Sequence, residues 1–124
     1  IKHLTVGENE VVLLDMEAGV EHFGRGVDNS VDLILMIVDP SFESLKLTKK
    51  IQQLGESIGK TVFFVLNKVN ELVLPTMLES IDDQSKVLAV ISTDTEIARK
   101  GLLGDELMME IPEIHTLARK ILKQ

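Results

Sequence analysis

Residues able to do chemistry recur in this 124-residue chain wherever an apolar run stops. Asp15 follows Val11 to Leu14 and opens the stretch DMEAGVEHFGRG, residues 15 to 26, dense in charge and small side chains. Asp39-Pro40 follows the run from Asp32 to Val38, Asn67-Lys68 follows Thr61 to Leu66, and Ser92-Thr93-Asp94 follows Val87 to Ile91. An asparagine amide carries an acceptor and two donor hydrogens, so it can read a purine edge through two hydrogen bonds. A neighbouring lysine can lay its aliphatic stem over a base while its ammonium stays in water. Asn67 closing an ordinary turn explains the dipeptide equally well. Asn70 stands where a guanine-reading asparagine-lysine motif would carry aspartate, which disfavours guanine.

Positioning these residues requires strands that end on one side of a sheet. Short continuous apolar runs read as strands buried on both faces, the kind found in parallel sheets. Four such strands are expected, at Val11–Leu14, Leu33–Val38, Thr61–Leu66 and Val87–Ile91. Right-handed crossovers put their carboxyl ends on one edge, where open α/β sheets bind ligands. Each strand end, taken singly, is also an ordinary loop start.

Helices are expected between the strands. Ser41 is a suitable N-cap, Leu47, Ile51, Leu54 and Ile58 form one helical face, and Gly59 a terminator. Pro75 suits the first turn of a helix with Leu74, Met77, Leu78 and Ile81 as its apolar side. Asp82 to Ser85 is expected as a loop, Thr95 to Lys100 as a short helix, and Gly101 to Gly104 as a loop. Pro112 opens a last helix whose apolar face is Ile114, Leu117, Ala118, Ile121 and Leu122. The expected fold is a single α/β domain over residues 1–124, a three-layer parallel sheet with flanking helices.

Composition bounds the function. With 44% hydrophobic and 27% charged residues the chain is expected to fold around a core. A net charge of −7 argues against a broad basic nucleic-acid face or a polybasic membrane patch. Cysteine is absent, so neither a disulfide nor a thiolate metal site can form within this chain. No apolar run reaches membrane-span length, and a cytoplasmic location is expected.

The stretch from Asp15 to Gly26 resembles the Walker B and switch II region of the MinD/ParA class of deviant P-loop ATPases. Within that class it is most similar to the accessory ATPases that mature carbon monoxide dehydrogenase. Val38-Asp39-Pro40-Ser41, Asn67-Lys68-Val69, and Asp94-Thr95-Glu96-Ile97 with Gly101 to Gly104 extend the resemblance over nearly the whole chain. The resemblance implies catalytic roles for Asp15, Gly19 and Glu21, with Asp15 holding Mg²⁺ through a water and the Gly19 amide sensing the γ-phosphate. It implies a switch containing Glu17, His22 and Arg25. It places Asn67, Lys68, Ser92, Asp94 and Glu96 around ATP or ADP. The implied parent protein is a homodimer that couples ATP hydrolysis to nickel insertion into carbon monoxide dehydrogenase.

The departures are as informative. No G-x-x-x-x-G-K-[ST] phosphate loop occurs in the sequence, and neither switch I nor the Cys-x-Cys pair for nickel or zinc is present. Ser92 replaces the usual proline, and Asp105-Glu106 follows Gly104 where Lys-Pro is common. The chain therefore reads as the C-terminal part of such an ATPase, inactive alone because phosphate clamping dominates the chemistry. In this class the phosphate-loop strand lies between the first two strands seen here. Without it those strands are expected either to slide together or to leave edges exposed for self-association. Three other readings stay open: a partitioning or spatial-regulator ATPase, an inert dimerisation module, and a receiver-like domain with Asp15 as phosphoacceptor.

Overall fold

The structure is a computed structural model and describes residues 7–8, 10–16 and 31–124. Its core is an α/β sandwich around a parallel sheet. β1 (Ile34–Val38), β2 (Val62–Val69) and β3 (Val87–Ser92) lie in that order, β2 in the centre. β1 and β2 pair in unbroken register from Ile34↔Val62 to Val38↔Leu66. The central position suits the most apolar strand: Phe64, Val65 and Leu66 have no exposed surface.

Helices cover both faces. α1 (Phe42–Ile58) begins where Ser41 Oγ accepts from the Ser44 amide. It ends at Gly59, whose left-handed φ of 65° lets the Lys60 amide reach the Gly55 carbonyl at 2.9 Å. Ile51 is buried, while Leu47, Leu54 and Ile58 pack half-buried on the same cluster as Val38, Phe64 and Leu66. α2 (Leu74–Glu79) adds Met77 to that cluster, joined by Ile81 just beyond its end. Gln52 ties the two helices together, donating to the Ser80 carbonyl at 3.2 Å and accepting from the Asp82 amide at 2.9 Å. The Asp82–Ser85 stretch, expected as a loop, holds one 3₁₀ turn, Gln84–Lys86, capped by Asp83.

α3 (Thr95–Leu103) runs one turn beyond its expected end, so Gly101 is helical and only Gly104 makes the left-handed cap, at φ 71°. The Asp94 cap and the Glu96–Arg99 pair support a helix that a lone glycine does not interrupt. α4 (Pro112–Ile121) lies on the sheet face opposite α1 and packs Leu117 and Ile121 against Val65, Leu88 and Ile91. Lys120 Nζ donates to the Leu88 carbonyl at 2.5 Å. The rest of its expected apolar face, Ile114, Ala118 and Leu122, stays exposed.

Two expectations about the sheet need correction. Val11–Leu14 is not a strand: it is irregular and exposed, with Leu13 84% accessible. Among the described residues the sheet has three strands, not four. An apolar run can be buried only if a neighbouring strand takes its backbone hydrogen bonds, and no described strand does so. The outer edge of β1 correspondingly lacks a strand partner among the described residues, and Ile37 stays 52% exposed on the face that α4 covers only in part. Val11–Leu14 and β1 thus do not slide together into one sheet, and among the described residues that edge of β1 has no strand partner.

Candidate functional site

The carboxyl edge of the sheet carries the polar residues. β1 delivers Asp39 immediately after the Val38↔Leu66 pair, and β2 delivers Asn67 at the same level. Asp39 is pinned from below: its amide donates to Ser44 Oγ at 3.1 Å, and its carbonyl accepts from the Ser41 amide at 2.8 Å. Its carboxylate is split between two donors. Asn67 Nδ2 donates to Oδ1 at 2.9 Å, and Lys68 Nζ donates to Oδ2 at 2.6 Å. The ion pair is largely solvated, so its contribution to stability is small and its geometry is what matters.

The backbone at this point is irregular. β2 was expected to end at Leu66 but continues through Asn67 and Lys68 to Val69, with its register against β3 broken between Leu66 and Val69. Lys68 takes a left-handed φ of 54°, a conformation that costs a non-glycine residue about 1 kcal/mol. Such bulges re-aim side chains at the rims of sheets and beside functional sites. Here the bulge puts the Lys68 ammonium on Asp39.

The second group gathers after β3. The Thr93 amide donates to the Val69 carbonyl at 2.9 Å, which holds the Ser92-Thr93-Asp94 turn beside the end of β2. Ser92, Thr93 and Asp94 line a cleft of about 220 Å³ whose other walls include Ile97, Met109 and Ile111. The Asp94 carboxylate caps α3, accepting from the Glu96 and Ile97 amides at 2.8 and 3.0 Å. Glu96 pairs with Arg99, and that hydrogen bond holds its carboxyl below the usual glutamate range.

Asn67 and Lys68 thus share one carboxylate, and Ser92 and Asp94 share one cleft, whereas Glu96 faces Arg99 at the surface. Asp15 lies in the exposed irregular segment. Glu17, Gly19, Glu21, His22 and Arg25 lie outside the described residues. Among the described residues no three His, Cys, Asp or Glu side chains form a metal cluster. Mg²⁺ held by one carboxylate together with phosphates and waters needs no such cluster. Sequence reasoning placed Asp39 at a strand end but gave it no role. Its signal was the same as that of Asp15, an acid closing an apolar run, and only the strand pairing sets it opposite Asn67.

No family profile matches the chain. An uncharacterized ATP-binding protein of Methanocaldococcus jannaschii is 44% identical over 123 residues, 99% of this chain and 49% of that protein. A second uncharacterized ATP-binding protein of the same organism is 33% identical over 113 residues, 89% of this chain and 44% of that protein. The carbon monoxide dehydrogenase accessory protein CooC of Rhodospirillum rubrum is 36% identical over 105 residues, 84% of this chain and 40% of that protein. The chain spans about half the length of the curated relatives it matches, and those relatives are ATP-binding proteins and an accessory protein. Among the described residues no helix is long and apolar enough to cross a membrane.

Proposed function

We propose that this chain is the C-terminal, base-binding half of a MinD/ParA-class P-loop ATPase that assists nickel insertion into carbon monoxide dehydrogenase in the cytoplasm. The observation that carries the reading is its similarity, over most of its length, to ATP-binding proteins and to a carbon monoxide dehydrogenase accessory protein. The run from Asp15 to Gly26 supports the same assignment. So does the outer edge of β1, which among the described residues has no strand partner.

On this reading Asn67, Lys68 and the turn after β3 would serve the base end of a nucleotide. Asn67 supplies an amide and Lys68 an aliphatic stem, while the cleft of about 220 Å³ at Ser92 and Thr93, which neither of them lines, is walled by the start of α3 and by Met109 to Glu113. Asp94 and Glu96 would then act by shaping the turn rather than by touching the base, since both carboxylates are engaged. The phosphate end does not fit this chain alone, because the sequence has no phosphate loop. Asp15 would hold Mg²⁺ through a water, Gly19 and Glu21 would face the γ-phosphate, and Glu17, His22 and Arg25 would belong to the switch. In the parent homodimer Mg²⁺ neutralises phosphate charge; nickel or zinc would be held by residues outside this sequence.

The test compares this chain alone with the same chain joined to whatever its gene encodes upstream of Ile1. Nucleotide binding is read by calorimetry and hydrolysis by phosphate release. ATP turnover by the joined protein and none by the chain alone is the expected result. Turnover by the chain alone, or no nucleotide binding by the joined protein, would refute the reading.

A further inference from the structure

The last turn of α3 and the loop after it expose four large apolar side chains: Leu102, 87% accessible, Leu103, Leu107 and Met108, 82% accessible. Asp105, Glu106 and Glu110 lie exposed along the same stretch. We propose that this apolar, acid-flanked surface is a docking site for a basic amphipathic segment of a partner protein, one that carries leucine-like side chains beside lysine or arginine. The inference goes beyond the nucleotide reading and does not depend on it.

The surface is built rather than frayed. Ile97 is the residue by which α3 faces the cleft, and helical spacing from it runs to Lys100, Gly101 and Gly104. Leu102 and Leu103 fall off that row, and α3 buries no residue at all. Past the left-handed Gly104, the Asp105 amide donates to the Lys100 carbonyl at 2.9 Å, and Lys100 Nζ donates to the Glu106 carbonyl at 3.1 Å. These bonds hold Asp105 and Glu106 back against the last turn of α3, with Leu107 and Met108 following directly. Isolated exposed leucines are ordinary, but four large apolar side chains in one such stretch mark an interaction surface. Met108 adds an unbranched thioether that adapts to a partner's shape.

Charge selects the occupant. Asp105, Glu106, Glu110 and Glu113 carry carboxylates, and no lysine or arginine occurs between Lys100 and Arg119. Among the described residues Asp105 and Glu106 enter no ion pair, and Glu110 meets only His115, at 4.0 Å. Lys100 directs its ammonium to a backbone carbonyl instead. A second copy in a two-fold contact would set these carboxylates against themselves, and an anionic lipid surface would repel them. A strand added at the open edge of β1 would lie across the sheet from β3, the strand from which α3 leads off. A basic amphipathic segment meets both features: its apolar side covers the leucines, and its cations pair with the carboxylates around them.

The experiment uses the joined protein and two labelled peptides, one of leucine and lysine patterned as an amphipathic helix, the other with glutamate for lysine. Affinities are read by fluorescence anisotropy at physiological salt. The leucine–lysine peptide should bind and the leucine–glutamate peptide should not. Leu102→Ser with Met108→Ser, and separately Asp105→Lys with Glu106→Lys, should each weaken binding by roughly tenfold or more, as loss of a central contact does. Glu71→Lys with Glu79→Lys changes the net charge equally at exposed sites elsewhere and should weaken it far less. If that control pair weakens binding as much as the docking pairs, the attraction is only that of an acidic protein for a cation, and the proposal falls. It falls too if the leucine–lysine peptide does not bind, if both peptides bind alike, or if the leucine and methionine changes leave the affinity intact. A second readout uses Met108 itself. Dilute hydrogen peroxide should oxidise it far faster than the buried Met77, and the leucine–lysine peptide should slow that oxidation. Slow oxidation of Met108 without peptide would show that another part of the protein or a second copy already covers the surface, which overturns the proposal.

Discussion

Two helical glycines should respond to the same substitution with opposite signs. Gly55 lies in α1 where the helix crosses the start of β2, and Gly101 lies in α3 at the surface. A Cβ built on Gly55 would stand 2.5 Å from Val62 Cγ2 and 3.0 Å from the Lys60 carbonyl oxygen. Neither neighbour can yield cheaply: Val62 is a buried β-branched residue in a paired strand, and the Lys60 oxygen is backbone. A Cβ on Gly101 meets nothing within 4 Å. Alanine improves helix propensity over glycine by about 0.5–1 kcal/mol at either site. At Gly55 that gain is opposed by an overpacking cost of roughly 1–3 kcal/mol, so Gly55→Ala should destabilise by about 1–2 kcal/mol net. Gly101→Ala should stabilise by about 0.5 kcal/mol or slightly more. Urea unfolding followed by circular dichroism separates the two, and in thermal melts each kcal/mol should move Tm by roughly 3–5 °C. If Gly55→Ala stabilised the chain as much as Gly101→Ala, the close approach of α1 to β2 would be refuted.

Other outcomes follow from single contacts. Leu117→Ala should cost about 2–4 kcal/mol and loosen α4, because Leu117 is the buried residue by which that helix grips Val65 and Leu88; hydrogen exchange at Lys120 and Ile121 should rise with it. Gly59→Ala should cost about 1 kcal/mol through backbone strain alone, since φ is 65° and no atom lies within 4 Å of the added methyl, and Gly59→Asn should recover part of the loss in the same melts. The Glu96 carboxyl should titrate below its ordinary value in carbonyl-detected NMR and return toward it in Arg99→Ala. Because the folded value is the lower one, the stability it contributes is present above the unfolded value and is lost as the pH falls through the folded value, on the acid side of the carboxylate range.

The helices and two outer layers were legible in the sequence because their signals are local. Ser41, Gly59, Pro75 and Pro112 act on the one or two turns next to them, and the structure puts helix ends at each. The runs at Leu33–Val38, Thr61–Leu66 and Val87–Ile91 become strands that pair with one another, with Thr61–Leu66 the most buried and Ile37 and Val90 left exposed. Val11–Leu14 carried the same signal and failed, because burial of a strand depends on a neighbour that may belong to another part of the sequence. The last helix shows the same division: periodicity identified five apolar positions, and the sheet covers only Leu117 and Ile121.

The candidate site divides in the same way. Residue chemistry alone singled out Asn67 and Lys68, since few side chains combine donor, acceptor and a covering stem. Asp39 acquired its place only through parallel pairing, which sets residues 28 apart in sequence side by side, and through a bulge that bends Lys68 back onto it. Sequence determines which residues can cap, bury or donate, because those are properties of one side chain and its neighbours in the chain. Which donor meets which acceptor is decided by strand register and backbone strain, and these exist only once the sheet has formed.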